Sequence, residues 1–122
     1  MSIIINKKTK VIIQGITGDQ GAYHAKLMLD YGTNIIAGVT PGKGGQEVHG
    51  IPVYNNVPEA LAEHKADFSV LFVPARFVKT AALEALDNGL NIVVITEHVP
   101  VFDALEIMEK AREKELVVIG PN

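Results

Sequence analysis

Between a β-branched run, Val11-Ile12-Ile13-Gln14, and a helical stretch over residues 22–31 lies Gly15-Ile16-Thr17-Gly18-Asp19-Gln20-Gly21, with a glycine at every third position. A strand, a tight turn and a helix start in direct succession leave few folds open. The turn gathers free backbone N–H groups and the positive end of the helix dipole at one point, which suits an anion, above all a phosphate. Glycine belongs there because a Cβ would block either a positive-φ turn or the close approach of a ligand. The stretch predicts a nucleotide-like ligand at the mouth of an α/β sheet.

The rest of the chain repeats the alternation. Residues 3–5 read as a short edge strand or a segment tucked against the domain, and residues 6–9 as a polar turn. After the strand at 11–14 and the helix at 22–31, Gly32 is the stop signal. Strand-length apolar runs follow at 35–39, 51–54, 69–73, 91–95 and 116–119. Pro58 introduces a helix over 59–64. A strong helical pattern spans 77–86, with Gly89 as its C′ residue, and an amphipathic one spans 100–114, with Val101, Leu105 and Met108 on one face. Strands that are apolar throughout, alternating with helices, indicate a parallel sheet covered on both faces. Right-handed crossovers then make it a Rossmann-like doubly wound α/β fold in the strand order 3-2-1-4-5, as one domain over residues 1–122.

Several function classes drop out on composition. The net charge of −3, with no dense Lys/Arg stripe, argues against a nucleic-acid partner. No apolar run approaches the ~20 residues that cross a bilayer, and no signal or transit peptide is legible. A chain without cysteine has no disulfide framework and no thiolate nucleophile. The expected setting is cytoplasmic, or the mitochondrial matrix for a processed eukaryotic protein. The four histidines, His24, His49, His64 and His98, have no metal-ligand spacing. Neither serine, Ser2 or Ser69, sits on a G-x-S-x-G elbow, and no paired carboxylates suggest acid–base work. The sequence offers a binding site, with no catalytic group and no metal site.

Ligands of such sheets bind beyond the carboxyl ends of the strands. That rim carries residues 15–20, 40–45, Val73-Pro74-Ala75, Thr96-Glu97-His98 and Gly120-Pro121-Asn122. A dinucleotide fingerprint would place an acid at the end of the second strand to hold ribose hydroxyls. Here that strand ends Ala37-Gly38-Val39-Thr40, and the next loop offers Lys43 instead, a cation suited to a phosphate on the ribose. NADP, coenzyme A and other phosphorylated adenosines remain open on the residues alone.

Five segments then carry a resemblance. They are the glycine loop, Gly38-Val39-Thr40-Pro41-Gly42-Lys43-Gly44-Gly45, Phe72-Val73-Pro74-Ala75, Ile95-Thr96-Glu97 and Ile119-Gly120-Pro121-Asn122. Together they closely resemble the CoA-binding N-terminal domain of succinyl-CoA synthetase (succinate–CoA ligase) alpha subunits, in register over essentially the whole chain. The resemblance implies that Thr17, Gly18, Asp19 and Gln20 meet the phosphates of coenzyme A, and that Pro41 and Lys43 flank its nucleotide end. It implies that Val39, Phe72, Val73, Pro74, Ile95, Thr96 and Glu97 line the remainder. Asp19 and Arg76 depart from the residues usual in that family. The resemblance further implies a beta subunit and a C-terminal alpha domain bearing a phosphohistidine, neither of which this sequence contains.

Local structural readings stand beside these assignments. Thr17 with Gln20 fits a capping box, and Asp19 could serve as an N-cap. Lys43 could be a solvated loop lysine, and Glu97 could favour the dipole of a following helix. Two functions are therefore carried forward: a CoA-holding domain of a larger ligase, and a stand-alone CoA- or nucleotide-binding module without catalysis. Gly120-Pro121-Asn122, stopping at the ligand-facing rim, favours the first. An NADP-dependent reductase is disfavoured, with no substrate domain or Tyr/Lys pair evident.

Overall fold

The computed structural model describes residues 8–120, so the expectation for residues 3–5 lies outside the described residues, as do Pro121 and Asn122. Along the chain run β1 (Lys10–Gln14), α1 (Asp19–Tyr31), β2 (Asn34–Val39), β3 (Glu47–Val48), β4 (Ile51–Tyr54) and α2 (Val57–Glu63). Then come β5 (Phe68–Leu71), α3 (Ala75–Asp87), β6 (Asn91–Val94), α4 (Val101–Glu113) and β7 (Val118–Ile119). The sheet has seven strands in the order β3-β4-β2-β1-β5-β6-β7, and only the β3–β4 pairing is antiparallel. The doubly wound parallel core expected from the sequence is present, but the order 3-2-1-4-5 is incomplete at both edges. β7 extends it beyond β6, where the Val117 N–H is fixed by Asn91 Oδ1 at 2.9 Å. At the other edge β3 turns back on β4 through His49 and Gly50, both at positive φ. A two-residue strand is too short to show any period, which is why β3 was not legible.

Alternation along each strand builds the core. Ile12 and Leu71 point to the face packed with Val78, Ala82, Leu86 and Ile107 of α3 and α4. Val11, Ile13, Phe68 and Val70 point to the opposite face with Ala25 of α1. Buried on both sides, the central strands read as continuous apolar runs.

The helix signals hold with adjustments. Gly32 ends α1 in the left-handed region (φ 101°), and its N–H reaches the Leu29 carbonyl. Asn56 caps α2 by accepting the Glu59 N–H at 2.8 Å, with Pro58 in the first turn. α1 begins at Asp19, three residues earlier than expected, because Gly18 rather than Thr17 or Asp19 is the N-cap, and no side chain caps it. The capping-box and Asp19-cap readings are thereby corrected. The apolar face expected of α4 is also corrected: Val101, Leu105 and Met108 are 72%, 55% and 57% exposed, whereas Ile107 and Ala111 are buried. Periodicity shows that a stripe exists and cannot show whether anything covers it. No helix among the described residues is long and apolar enough to cross a membrane.

Candidate binding cleft

Strand order reverses between β1 and β5, and the loops leaving the carboxyl ends of these strands diverge there. They enclose a cleft of about 540 Å³. Gln14, Gly15, Thr17 and Gly18 line it from the first loop, and Val39, Thr40 and Pro41 from the end of β2. Asn55 follows β4, and Phe72, Val73 and Pro74 follow β5. Phe77, Thr80, Ala81 and Glu84 of α3 complete the wall.

The three glycines of the first loop serve different ends. Gly15 sits at φ +87°, where a Cβ would come within 3.0 Å of the Phe72 and Val73 backbone. A Cβ on Gly21 would overlap the Gly15 carbonyl oxygen, so α1 can dock on its loop only if this residue is glycine. Gly18 is at an ordinary φ of −72°, and a Cβ there would meet only the Gly15 oxygen, at a comfortable 3.6 Å. The chain does not need glycine at 18. Glycine there leaves the loop bare where it lines the cleft.

Gly18 also leaves the helix uncapped. The first bond closing α1 runs from the Ala22 N–H to the Gly18 carbonyl at 2.8 Å, which leaves the amides of the leading turn without an intrahelical partner. Those amides and the helix dipole beside a cleft-lining glycine form an anion cradle. It is braced by the Thr17 N–H, which donates to Thr40 Oγ1 across the loops at 3.4 Å.

Elsewhere the walls are predominantly apolar, and several of their polar groups are already used. Gln14, 2% exposed, accepts from Ser69 Oγ–H at 2.7 Å and donates through Nε2 to the Ala81 carbonyl at 3.0 Å. The Phe72 ring is backed by the stacked imidazole of His24, with centroids 5.1 Å apart. Glu84, the one charged residue among those lining the cleft, accepts the Val57 N–H at 3.4 Å. This is equipment for gripping an anionic group and an apolar arm. The wall brings together no nucleophile–base pair, and no group of acids and histidines among the described residues could hold a metal.

Of the residues singled out in the sequence, Thr17, Gly18, Val39, Pro41, Phe72, Val73 and Pro74 converge on the cleft. Asp19 and Gln20 occupy the exposed first turn of α1, outside the wall. Lys43 is exposed on the neighbouring loop. Ile95 and Glu97 are exposed, while Thr96 is tied to the wall by donating from Oγ1 to the Val73 carbonyl at 2.6 Å. Thr40, placed on the rim by the sequence, also lines it, whereas Gln14, Asn55, Phe77, Thr80, Ala81 and Glu84 are cleft residues that the sequence reading does not single out. Four of these share one face of α3 at helical spacing (77, 80, 81, 84), a pattern available in the sequence to a reader asking which helix follows β5.

Fold and site together define a doubly wound α/β domain with an apolar cleft and an uncapped helix start at its topological switch point. Within that class, the chain belongs to the CoA binding domain family, which matches residues 6–99. It is 55% identical to succinate–CoA ligase [ADP-forming] subunit alpha 1 of Archaeoglobus fulgidus over 100% of this chain and 42% of that protein. It is 51% identical to the corresponding alpha subunit of Methanothermobacter thermautotrophicus over 98% of this chain and 41% of that one. The chain thus spans about two fifths of the length of these relatives. Among solved structures it resembles ATP citrate lyase from Methanothrix soehngenii in complex with citrate and coenzyme A (TM-score 0.85, 24% identity, 98% of this chain and 21% of that chain). It also resembles myo-inositol 2-dehydrogenase from Lactobacillus plantarum (TM-score 0.73, 15% identity, 93% of this chain and 36% of that chain). At these identities the likeness concerns the fold, which serves a lyase and a dehydrogenase alike.

Proposed function

We propose that residues 1–122 are the coenzyme A-binding domain of a succinate–CoA ligase alpha subunit. The full enzyme, with a further alpha domain bearing a phosphohistidine and a beta subunit, would form succinyl-CoA at the expense of a nucleoside triphosphate. The observation that carries the reading is the uncapped start of α1 opening beside an apolar cleft, with Gly18 kept free of a side chain the fold would tolerate. Identity above 50% to alpha subunits along the whole chain supports the choice of ligase.

The residues fit the cofactor. Gly18 and the first-turn amides of Asp19 and Gln20 would hold phosphate. Lys43 would face the phosphate on the ribose. Val39, Pro41, Phe72, Val73, Pro74 and Phe77 would flank the uncharged parts. Coenzyme A supplies the thiol that accepts the acyl group, and the domain's part is to restrict where that thiol points. Positioning of this kind lowers a barrier by several kcal/mol with no proton transferred by the domain.

Calorimetric titration with CoA, dephospho-CoA and NADP tests the reading. Micromolar CoA binding that weakens on loss of the 3′-phosphate supports it, and preference for NADP overturns it. Addition of a beta subunit and the C-terminal alpha domain should restore succinyl-CoA formation. CoA binding without such complementation would favour a stand-alone module.

A further inference from the structure

The segment from Thr40 to Gln46 is laddered to β4 through backbone bonds, but unevenly. The Thr40 N–H donates to the Tyr54 carbonyl at 3.0 Å, and the Gly45 N–H to the Val53 carbonyl at 3.0 Å. Within the loop, the Lys43 N–H folds back on the Thr40 carbonyl at 3.1 Å. Between these anchors the tip is joined to the sheet by one side chain: Asn55 Oδ1 accepts the Gly44 N–H at 2.9 Å. Because the partner is an N–H donor, the carboxamide must present its oxygen to Gly44. Asn55 is itself held, its backbone N–H donating to Glu59 Oε2 at 3.1 Å, and Glu59 is locked to Asn56 at the start of α2. The fit at Gly44 is close: a Cβ there would lie 2.6 Å from Asn55 Nδ2. Asn55 also lines the cleft, beside Pro41.

We propose that Asn55 is a positioning residue that fixes the loop tip through Gly44, so that the adjacent Lys43 discriminates ligands with a phosphate on the ribose from those without. Lys43 makes no ion pair among the described residues. An ammonium on a flexible stem loses much of its binding gain to ordering, and a backbone already held reduces that loss. Gly44 is glycine so that the Asn55 oxygen can reach its amide. The inference rests on the coenzyme A reading for its ligand, but not for the tether itself.

Two measurements keep these apart. In the ligand-free protein, Asn55→Ala should speed hydrogen exchange at the Gly44 amide about tenfold or more, while Asn55→Asp, which retains an oxygen acceptor, restores protection. Unchanged exchange in Asn55→Ala overturns the tether, whatever the ligand. In titrations, Asn55→Ala, Gly44→Ala and Lys43→Ala should each weaken CoA about tenfold and leave dephospho-CoA within about twofold. The Asn55→Ala/Lys43→Ala double variant should be little worse than either single one, because both remove the same contact. Losses that multiply, or that fall equally on dephospho-CoA, overturn the positioning role. A wild-type chain that binds no CoA removes the function proposed above, and the exchange experiment then still decides the tether.

Discussion

The two glycine-rich loops on either side of the cleft are built on opposite principles. In the loop between β1 and α1, Gly15 and Gly21 are demanded by contacts with the loop's own backbone and with the start of the β5–α3 connection. In the loop after β2, Gly42 and Gly45 face open space and are demanded only by their positive φ of 80° and 93°. The first loop is rigid because the central sheet and α1 close over it. The second stands at the sheet's outer side, held by β4 and by Asn55. Under the coenzyme A reading, a ligand at this rim would meet bare helix-start amides on one side and a tethered loop carrying Lys43 on the other. On the proposals above, affinity for phosphate would belong to the first loop, and choice among phosphorylated ligands to the second.

Substitutions can break or sharpen that contrast. The largest effect should come from Gly21→Ala, which drives a methyl into the Gly15 carbonyl and should cost about 3 kcal/mol in urea unfolding. Stability near wild type would show that the first loop is no more rigid than the second. Next, Ser69→Ala leaves the buried Gln14 oxygen beneath the first loop without its donor and should cost about 1–3 kcal/mol, read by the same melt. Gly42→Ala, a strained turn with nothing to collide with, should cost only about 1 kcal/mol. Gly18→Ala should change stability by less than about 1 kcal/mol, since its Cβ would have only an ordinary contact with the Gly15 oxygen, yet on the coenzyme A reading it should weaken CoA about tenfold by calorimetry. Smallest of all, Leu105→Lys on the exposed face of α4 should stay within about 0.5 kcal/mol of wild type, because that face packs on neither loop nor core.

Much of this was visible in residue order, for reasons that are local. The strand–glycine loop–helix succession, the αL stop at Gly32, the Pro58 helix start and the C′ residue Gly89 all arise from backbone preferences of single residues, which survive any tertiary context. The misses were non-local. Thr17 and Gln20 have the spacing of a capping box, but the docking of α1 through Gly21 puts Gly18 at the cap. Val101, Leu105 and Met108 have the spacing of a buried stripe, but α4 lies at the margin of the sheet and turns Ile107 and Ala111 inward instead. Asn91 opens an apolar run, and only the fold shows it linking two segments, by accepting from the Val117 N–H and donating to the Asp67 carbonyl.

The amino-acid order by itself determined the alternating α/β architecture, the position of the glycine turn and the family, because strand, turn and helix preferences act over a few residues at a time. Only the folded chain decided which glycine of the first loop its packing does not require, which face of α3 lines the cleft, and that Asn55 reaches Gly44. Those depend on distances between segments far apart in sequence, which close packing sets and local preference leaves open.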